Sequence, residues 1–216
     1  MIEIPINPID NDKNWLYEKV NKMMEKYLVM DTETTGLHED SDLLTAWFGI
    51  YNSEFELIDE LELYTKPDDG FYKVTAQALG VNKIDLIRHD EIALKYKETK
   101  PLLYKFIEYH FKLMNDGSLA NPRQLIPIGQ NCRYDINKIC NTIISKGSWD
   151  TYVSRRPLDT MYIARWLQLI GKIPMAQSIS LGDLIKYFGI NIKGELHTAK
   201  TDAICTVEVL KEMLKL

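Results

Sequence analysis

The sequence predicts an α/β domain built on a mixed β-sheet, and three observations carry that expectation. Strand-forming runs come first, at Tyr27–Asp31, Leu43–Tyr51 and 54–67. From about residue 125 onward, short apolar runs alternate with helical patterns. Strands followed by a strand–helix alternation suit a sheet with antiparallel and parallel parts. Finally, 216 residues with 45% hydrophobic and 26% charged side chains suit one domain with a sizeable core.

Taken in order, residues 13–25 carry Trp15, Leu16, Val20, Met23 and Met24 at amphipathic helical spacing. Residues 1–26 are therefore read as an N-terminal extension packed on a domain spanning 27–216. Leu43–Tyr51 reads as a strand buried on both faces. In 54-EFELIDELELYTKP-67, Phe55, Leu57, Leu61 and Leu63 share one parity, and Glu54, Glu56, Glu60 and Glu62 the other. That alternation predicts one buried and one wet face, with a tight hairpin at Asn52-Ser53. Helices are expected at about 75–80 and 89–114, a fourth strand at Leu125–Gln130, and a helix over 132–146. A short strand at 156–160 leads into a helix ending near Leu169. Ser180 fits the N-cap of a helix over 181–188 that Gly189 stops. The last helix, about 199–215, presents Ala203, Val207, Leu210 and Leu214 on one stripe.

The formal net charge is −5, which gives no support to nucleic-acid binding through bulk charge, although it leaves room for a local basic path. Three cysteines, Cys132, Cys140 and Cys205, show no zinc spacing and suit reduced, packed thiols in a cytoplasmic protein. No run approaches the ~18 apolar residues of a membrane span.

The chemistry is concentrated in carboxylates. In 27-YLVMDTETTGL-37 a strand runs into Asp31 and Glu33, two residues apart and so on one face. Like charges that close repel unless one is protonated or a cation lies between them. In 129-GQNCRYD-135, Asn131 fits an N-cap, which places Asp135 in the first helical turn. There it either complements the helix dipole or, at the edge of the buried Ile136/Ile139 stripe, faces a site. In 197-HTAKTD-202, five residues are roughly 140° of helical rotation. His197 and Asp202 can thus cooperate only if His197 lies in the loop before the helix. Four carboxylates could neutralise two divalent cations, and all-oxygen donors without a cysteine cluster favour Mg²⁺ or Mn²⁺. Such ions can activate water and stabilise a phosphoryl transition state, with a histidine accepting the proton.

These segments resemble the three motifs of the DEDD 3′–5′ exonucleases, in the branch marked by a histidine in the third. That branch includes proofreading subunits of bacterial replicative polymerases, ribonuclease T and oligoribonuclease-like enzymes. DTETTGL (31–37), GQNCRYD (129–135) and HTAKTDA (197–203) carry the resemblance. Softer echoes lie in VTAQALGVNKIDL (74–86), PLDTMYIARW (157–166) and SLGDLIKYFGI (180–190). The resemblance implies an RNase H-like, five-stranded mixed sheet flanked by helices, and removal of nucleoside 5′-monophosphates from single-stranded 3′ ends. It implies two Mg²⁺ or Mn²⁺ ions. Asp31, Glu33 and Asp202 would hold one, Asp31 with Asp135 the other, and His197 would be the general base. Thr34, Thr35 and Gly36 would face the terminal nucleotide through their backbone, Leu37 would pack on its base, and Tyr134 would shape the same pocket.

Other residues admit two readings. Asp159 suits a strand-to-helix cap as well as a further ligand. Arg123, Arg133, Arg155, Arg156 and the lysines of 95–100 could follow a phosphate backbone or form a solvated surface. Tyr96, Tyr104 and Trp149 could stack on bases, but their spacing favours packing, and His38 is notable only as the neighbour of Leu37. The closeness of DTETTGL and SLGDLIKYFGI to proofreading domains favours DNA over RNA and makes a DNA polymerase a candidate partner. The alternative is a non-cutting nucleic-acid-binding or polymerase-associated subunit on the same fold. The presence of all five catalytic residue types argues against it.

Overall fold

A computed structural model of the chain describes residues 26–38, 40–115 and 123–216. The extension expected at 1–26, with its helix at 13–25, lies outside the described residues apart from Lys26. Strand β1 (Tyr27–Thr34) is central. It pairs antiparallel with β2 (Leu43–Tyr51), which pairs antiparallel with β3 (Leu57–Lys66). On its other side β1 runs parallel to β5 (Ile126–Gly129), and β5 parallel to β6 (Leu158–Asp159). These are the five strands the sequence predicts. A sixth, β4 (Leu94–Lys95), adds a two-residue parallel edge to β3, giving the order β4-β3-β2-β1-β5-β6.

The helices are α1 (Ala76–Asn82), α2 (Leu86–Ile92), α3 (Tyr96–Met114), α4 (Cys132–Thr142), α5 (Lys146–Tyr152), α6 (Thr160–Leu169), α7 (Leu181–Phe188) and α8 (Ala199–Met213). The helix expected over 89–114 is thus two, separated where β4 joins the sheet. The one expected over 132–146 ends at Thr142, and α5 begins after Ser145, whose hydroxyl accepts the Ser148 N–H.

Alternation along β1 divides the interior. Leu28 and Met30 pack with Leu103, Ile107, Ile139 and Trp149. Val29 faces the opposite way, onto Ala199, Ala203, Val207 and Leu210 of α8. The far side of α8 presents Cys205, Val209 and Met213 to α6 and α7. Leu214, expected on the buried stripe, lies just past the helix end and is 63% exposed; Met213 takes the inward position. All nine β2 residues are buried, as their composition predicts.

The β2–β3 connection departs from the expected two-residue turn. It is a loop of Asn52–Glu56 in which the Asn52 Oδ1 accepts the N–H groups of Glu54 and Glu56. Phe55 leaves the strand in a left-handed conformation (φ 57°) and stacks on Tyr27 with centroids 5.0 Å apart. Leu57 is consequently 44% exposed, and the buried face of β3 is recovered only at Leu61 and Leu63.

The caps of α7 are as expected. The Ser180 side chain accepts the Asp183 N–H, and Gly189 closes the helix at φ 66°. At α4 the cap comes from elsewhere. Asn131 sits at the N-cap position with φ 59° and gives no side-chain cap. Instead the buried Asp159 carboxylate accepts the N–H groups of Asn131 (3.1 Å) and Cys132 (2.9 Å). It also accepts Met161 N–H (3.0 Å) at the start of its own α6. One side chain therefore fixes the first turns of two helices. The three thiols form no disulfide. Among the described residues no helix is long and apolar enough to cross a membrane.

Because Asp159 satisfies three otherwise orphaned donors, Asp159→Ala is expected to cost about 2–4 kcal/mol. Asp159→Asn, which keeps one acceptor oxygen, should cost less. Urea unfolding monitored by far-UV circular dichroism measures both.

Candidate active site

Strand β1 outruns its parallel neighbour. Its pairing with β5 ends at Val29–Ile128, whereas its pairing with β2 continues through Asp31–Trp47 and Glu33–Thr45. The carboxylates thus lie at the carboxyl end of a central parallel strand, beside a gap in the sheet, where α/β folds commonly place their sites. Asp31 and Glu33 share the face of Val29, the side occupied by α8. Asp202 reaches them from the first turn of that helix. An oxygen from each of the three lies within 4.8 Å of the others. All three side chains are half-buried.

Thr32, of the opposite parity, turns to α4 and donates its hydroxyl to Asp135 Oδ1 at 2.6 Å. Asp135 is 4% exposed, which decides against a solvated, dipole-complementing surface acid. It therefore approaches the cluster from the other side of β1, outside the three-carboxylate group.

The electrostatics show what this arrangement costs without a counter-charge. Burial first, then the charges of Asp135, Asp202 and Glu33, holds Asp31 well above the usual carboxylate range. Burial, with Asp202 and Asp135, pushes Glu33 up to about 8. Burial raises Asp135 to about 7, with Asp159 adding to it and the Thr32 hydroxyl opposing it. Asp202 is raised by burial, against a hydrogen bond from the His197 backbone N–H at 3.2 Å. Carboxylates so placed either hold protons or share a cation. An all-oxygen donor set of this kind fits Mg²⁺ or Mn²⁺.

His197 lies in the loop before α8, as the helical geometry requires, with φ 66°. Thr198 caps α8 by accepting the Thr201 N–H. The exposed His197 lines a cavity of about 420 Å³ together with Glu33, Tyr64 and Asn82. Gly194, at φ 125°, brings this loop so close to Thr201 that a Cβ there would sit 2.7 Å from its hydroxyl.

On the other side of Glu33 a cavity of about 540 Å³ is walled by Thr34, Gly36, Leu37 and Tyr134, and closed opposite by Val81 and Asn82. Leu37 is 84% exposed, an apolar side chain held at the rim. The Tyr134 hydroxyl lies 2.9 Å from both Thr34 Oγ1 and Gly36 O. Thr35 differs from its neighbours. It does not line the cavity, its N–H donates to Asp42 O at 2.9 Å, and its hydroxyl bonds Lys73 O and the Asp42 N–H. Its amide is thus already engaged within the loop.

Two residues at the site were missed in the sequence. Thr32 could have been found, since a polar residue between two same-face acids must point to the other helix. Asn82, whose Nδ2 donates to Thr34 O at 3.1 Å, lies in the softer echo at 74–86 but was not singled out there. Several aromatic candidates are engaged elsewhere. Trp149 is in the core, the Tyr96 hydroxyl bonds the Leu43 backbone, and that of Tyr104 bonds Tyr152. Arg155 pairs with Asp150, while Arg133 and Arg156 are exposed.

No protein-family model and no curated protein matches the sequence. Fold and site together define an RNase H-like α/β domain with a carboxylate cluster at the end of its first strand. The particular likeness is to exonuclease I of E. coli. Its zinc-bound complex with single-stranded DNA superposes with a TM-score of 0.69 at 18% identity, covering 88% of this chain and 40% of that one. A complex with a dT13 oligonucleotide gives 0.65 at 17% identity, covering 87% and 40%. The chain therefore spans about two-fifths of the length of these structures, and at such identities the likeness is one of fold. It agrees with the resemblance carried by the three motifs.

The raised carboxylates yield a signed pH dependence. Their folded-state pKa values lie above the unfolded ones, so the folded protein holds more protons, and metal-free stability falls as pH rises. The loss begins in the ordinary carboxylate range, where the unfolded chain ionises, and runs through about pH 7–8, where Asp135 and Glu33 ionise in the folded protein. Thermal unfolding in EDTA should show Tm decreasing from pH 5.5 to 8.5. Asp31→Asn should flatten that decrease, and added Mg²⁺ should raise Tm more at the higher pH.

Proposed function

We propose that this chain is a metal-dependent 3′–5′ exonuclease that releases nucleoside 5′-monophosphates from single-stranded ends, DNA in preference to RNA. The carrying observation is the junction of the Asp31/Glu33/Asp202 cluster with a cavity of about 540 Å³ walled by the same strand, a size that suits one small ligand. The fold likeness to exonuclease I, whose structures include complexes with single-stranded oligonucleotides, supports the choice of substrate. One of those structures is a complex with SSB-Ct. For this chain the motif resemblance leaves a DNA polymerase as a candidate partner.

Asp31, Glu33 and Asp202 would hold one divalent ion, and Asp31 with Asp135 a second. When bound, the ions would supply Lewis-acid activation of water and neutralise charge on the phosphate. The chain's own residues do the rest. Leu37 and Tyr134 hold the terminal nucleoside against the turn after β1, which places the last phosphodiester beside the carboxylates. His197, on the solvent side of Glu33, accepts the proton of the attacking water. Water oxygen bonds to phosphorus, the bond to the preceding 3′ oxygen breaks, and that oxygen takes a proton from solvent and leaves as a 3′ hydroxyl. The product carries a 5′-monophosphate. The half-buried setting strengthens each of these electrostatic contacts relative to bulk water.

A 5′-labelled single strand incubated with Mg²⁺ should shorten progressively from its 3′ end, with EDTA or Asp31→Ala abolishing the shortening. Internal cuts, or binding without release of mononucleotides, would overturn this reading, the latter in favour of a non-cutting binding subunit. His197→Ala should lower kcat by about 10²–10⁴-fold, measured at saturating Mg²⁺ on the same strand. Matched DNA and RNA oligonucleotides measure the sugar preference.

A further inference from the structure

Helix α4 grips the end of β1 and the turn after it through three side chains. Asp135 accepts the Thr32 hydroxyl, and Tyr134 bonds the carbonyl of Gly36. The third is Lys138, one turn further along and on the face of Tyr134, whose ring centroid lies 5.6 Å from its ammonium. Lys138 is 4% exposed, an unusual position for a lysine. Its Nζ donates to His38 O at 2.5 Å, Ser41 O at 3.0 Å and Ser41 Oγ at 2.6 Å. The Ser41 hydroxyl in turn lies 2.6 Å from Gly36 O and 2.7 Å from His38 O. A buried ammonium is tolerated only when its donors are matched by oxygen acceptors. Here the matching oxygens belong to the turn that holds Gly36 and Leu37 against the cavity.

We propose that Lys138 is a positioning residue for the 3′-terminal nucleotide, an inference that rests on the exonuclease reading. It is not among the residues that wall the cavity. By drawing the carbonyls of His38 and Ser41 onto α4, it fixes the direction in which Leu37 projects and the depth of the wall at Gly36. Its contribution therefore falls on affinity for the end of the strand. The hydrolytic step depends on Asp31, Glu33, Asp135, Asp202 and His197.

The test compares wild type, Lys138→Met, Ser41→Ala and the double variant in three measurements: KM and kcat on a single-stranded oligonucleotide, the Mg²⁺ requirement, and amide hydrogen exchange. Lys138→Met should raise KM about tenfold or more while kcat stays within about threefold and the Mg²⁺ requirement is unchanged. The amides of Ser41 and Asp42, which bond His38 O and Thr35 Oγ1, should exchange faster. Ser41→Ala should shift KM in the same direction by less, and the double variant should be no worse than Lys138→Met alone. A kcat that falls with KM unchanged, or exchange at the wild-type rate, would overturn the assignment. If Lys138→Met fails to fold, Ser41→Ala decides, and an unaltered KM there counts against it. A wild type that releases no nucleotide from any 3′ end overturns the exonuclease reading, whereas unchanged exchange in Lys138→Met overturns the Lys138 assignment alone.

Discussion

The constraint that organises this molecule is the mutual repulsion of Asp31, Glu33 and Asp202, with Asp135 close behind. Each is raised by burial, and Asp31 and Glu33 are raised further by the neighbouring carboxylates. That repulsion would push the end of β1 outward, and the fold opposes this from three directions. On one edge β2 stays paired with β1 through Glu33 and beyond, with a register shift between Glu33 and Thr34. On one face the Thr32–Asp135 hydrogen bond ties the strand to α4. On the other, α8 lies close to the strand because Ala199 and Ala203, on either side of Asp202, are small enough to pack against Val29. Larger side chains at either position would lift the helix and withdraw Asp202.

The site is therefore only as well placed as the starts of two helices, and each start is tied to another part of the chain. Asp159 fixes α4 from the end of β6 through two backbone donors. The backbone of His197 bonds Asp202, so the loop that carries the histidine is registered to the carboxylate beside which it would act. Left-handed backbone at Asn131 and His197 is uncommon for residues other than glycine. Both occur where the chain turns abruptly into a site helix, a setting in which such conformations recur.

Much of this was legible in the sequence because it follows from periodicity. The two-residue alternation places Asp31 and Glu33 together, and helical rotation puts His197 in a loop with Asp202 in the helix. Ser180 and Gly189 mark the ends of α7 through local chemistry alone. What was not legible depends on tertiary partners. Asn131 has the residue type of a cap, yet the carboxylate that caps α4 comes from Asp159, 27 residues beyond Cys132. Phe55 has strand parity, but stacking on Tyr27 removes it from the strand. Lys138 reads as an ordinary polar position on an amphipathic helix; only the fold shows that carbonyls about 100 residues earlier in the chain converge on it.

On the proposed exonuclease reading, an acidic protein and a polyanionic substrate are reconciled by the distribution of charge rather than its sum. With a net charge of −5, the surface offers a nucleic acid little long-range attraction, so binding must be local. The cluster that repels a phosphate when bare becomes its strongest attractor once divalent ions are held there, because the ions carry the largest local charge. The cavity beside it contributes by shape and apolar contact, through Leu37 and the wall at Gly36, with little need for basic residues. Lys138 fits the same economy: its positive charge is directed inward, at carbonyls of the turn, where it shapes the cavity without adding to the surface field. A chain that recognises an end, rather than a length, of nucleic acid needs only such a short-range arrangement. That is consistent with exposed arginines which, apart from Arg133, lie in segments other than those that build the cavity.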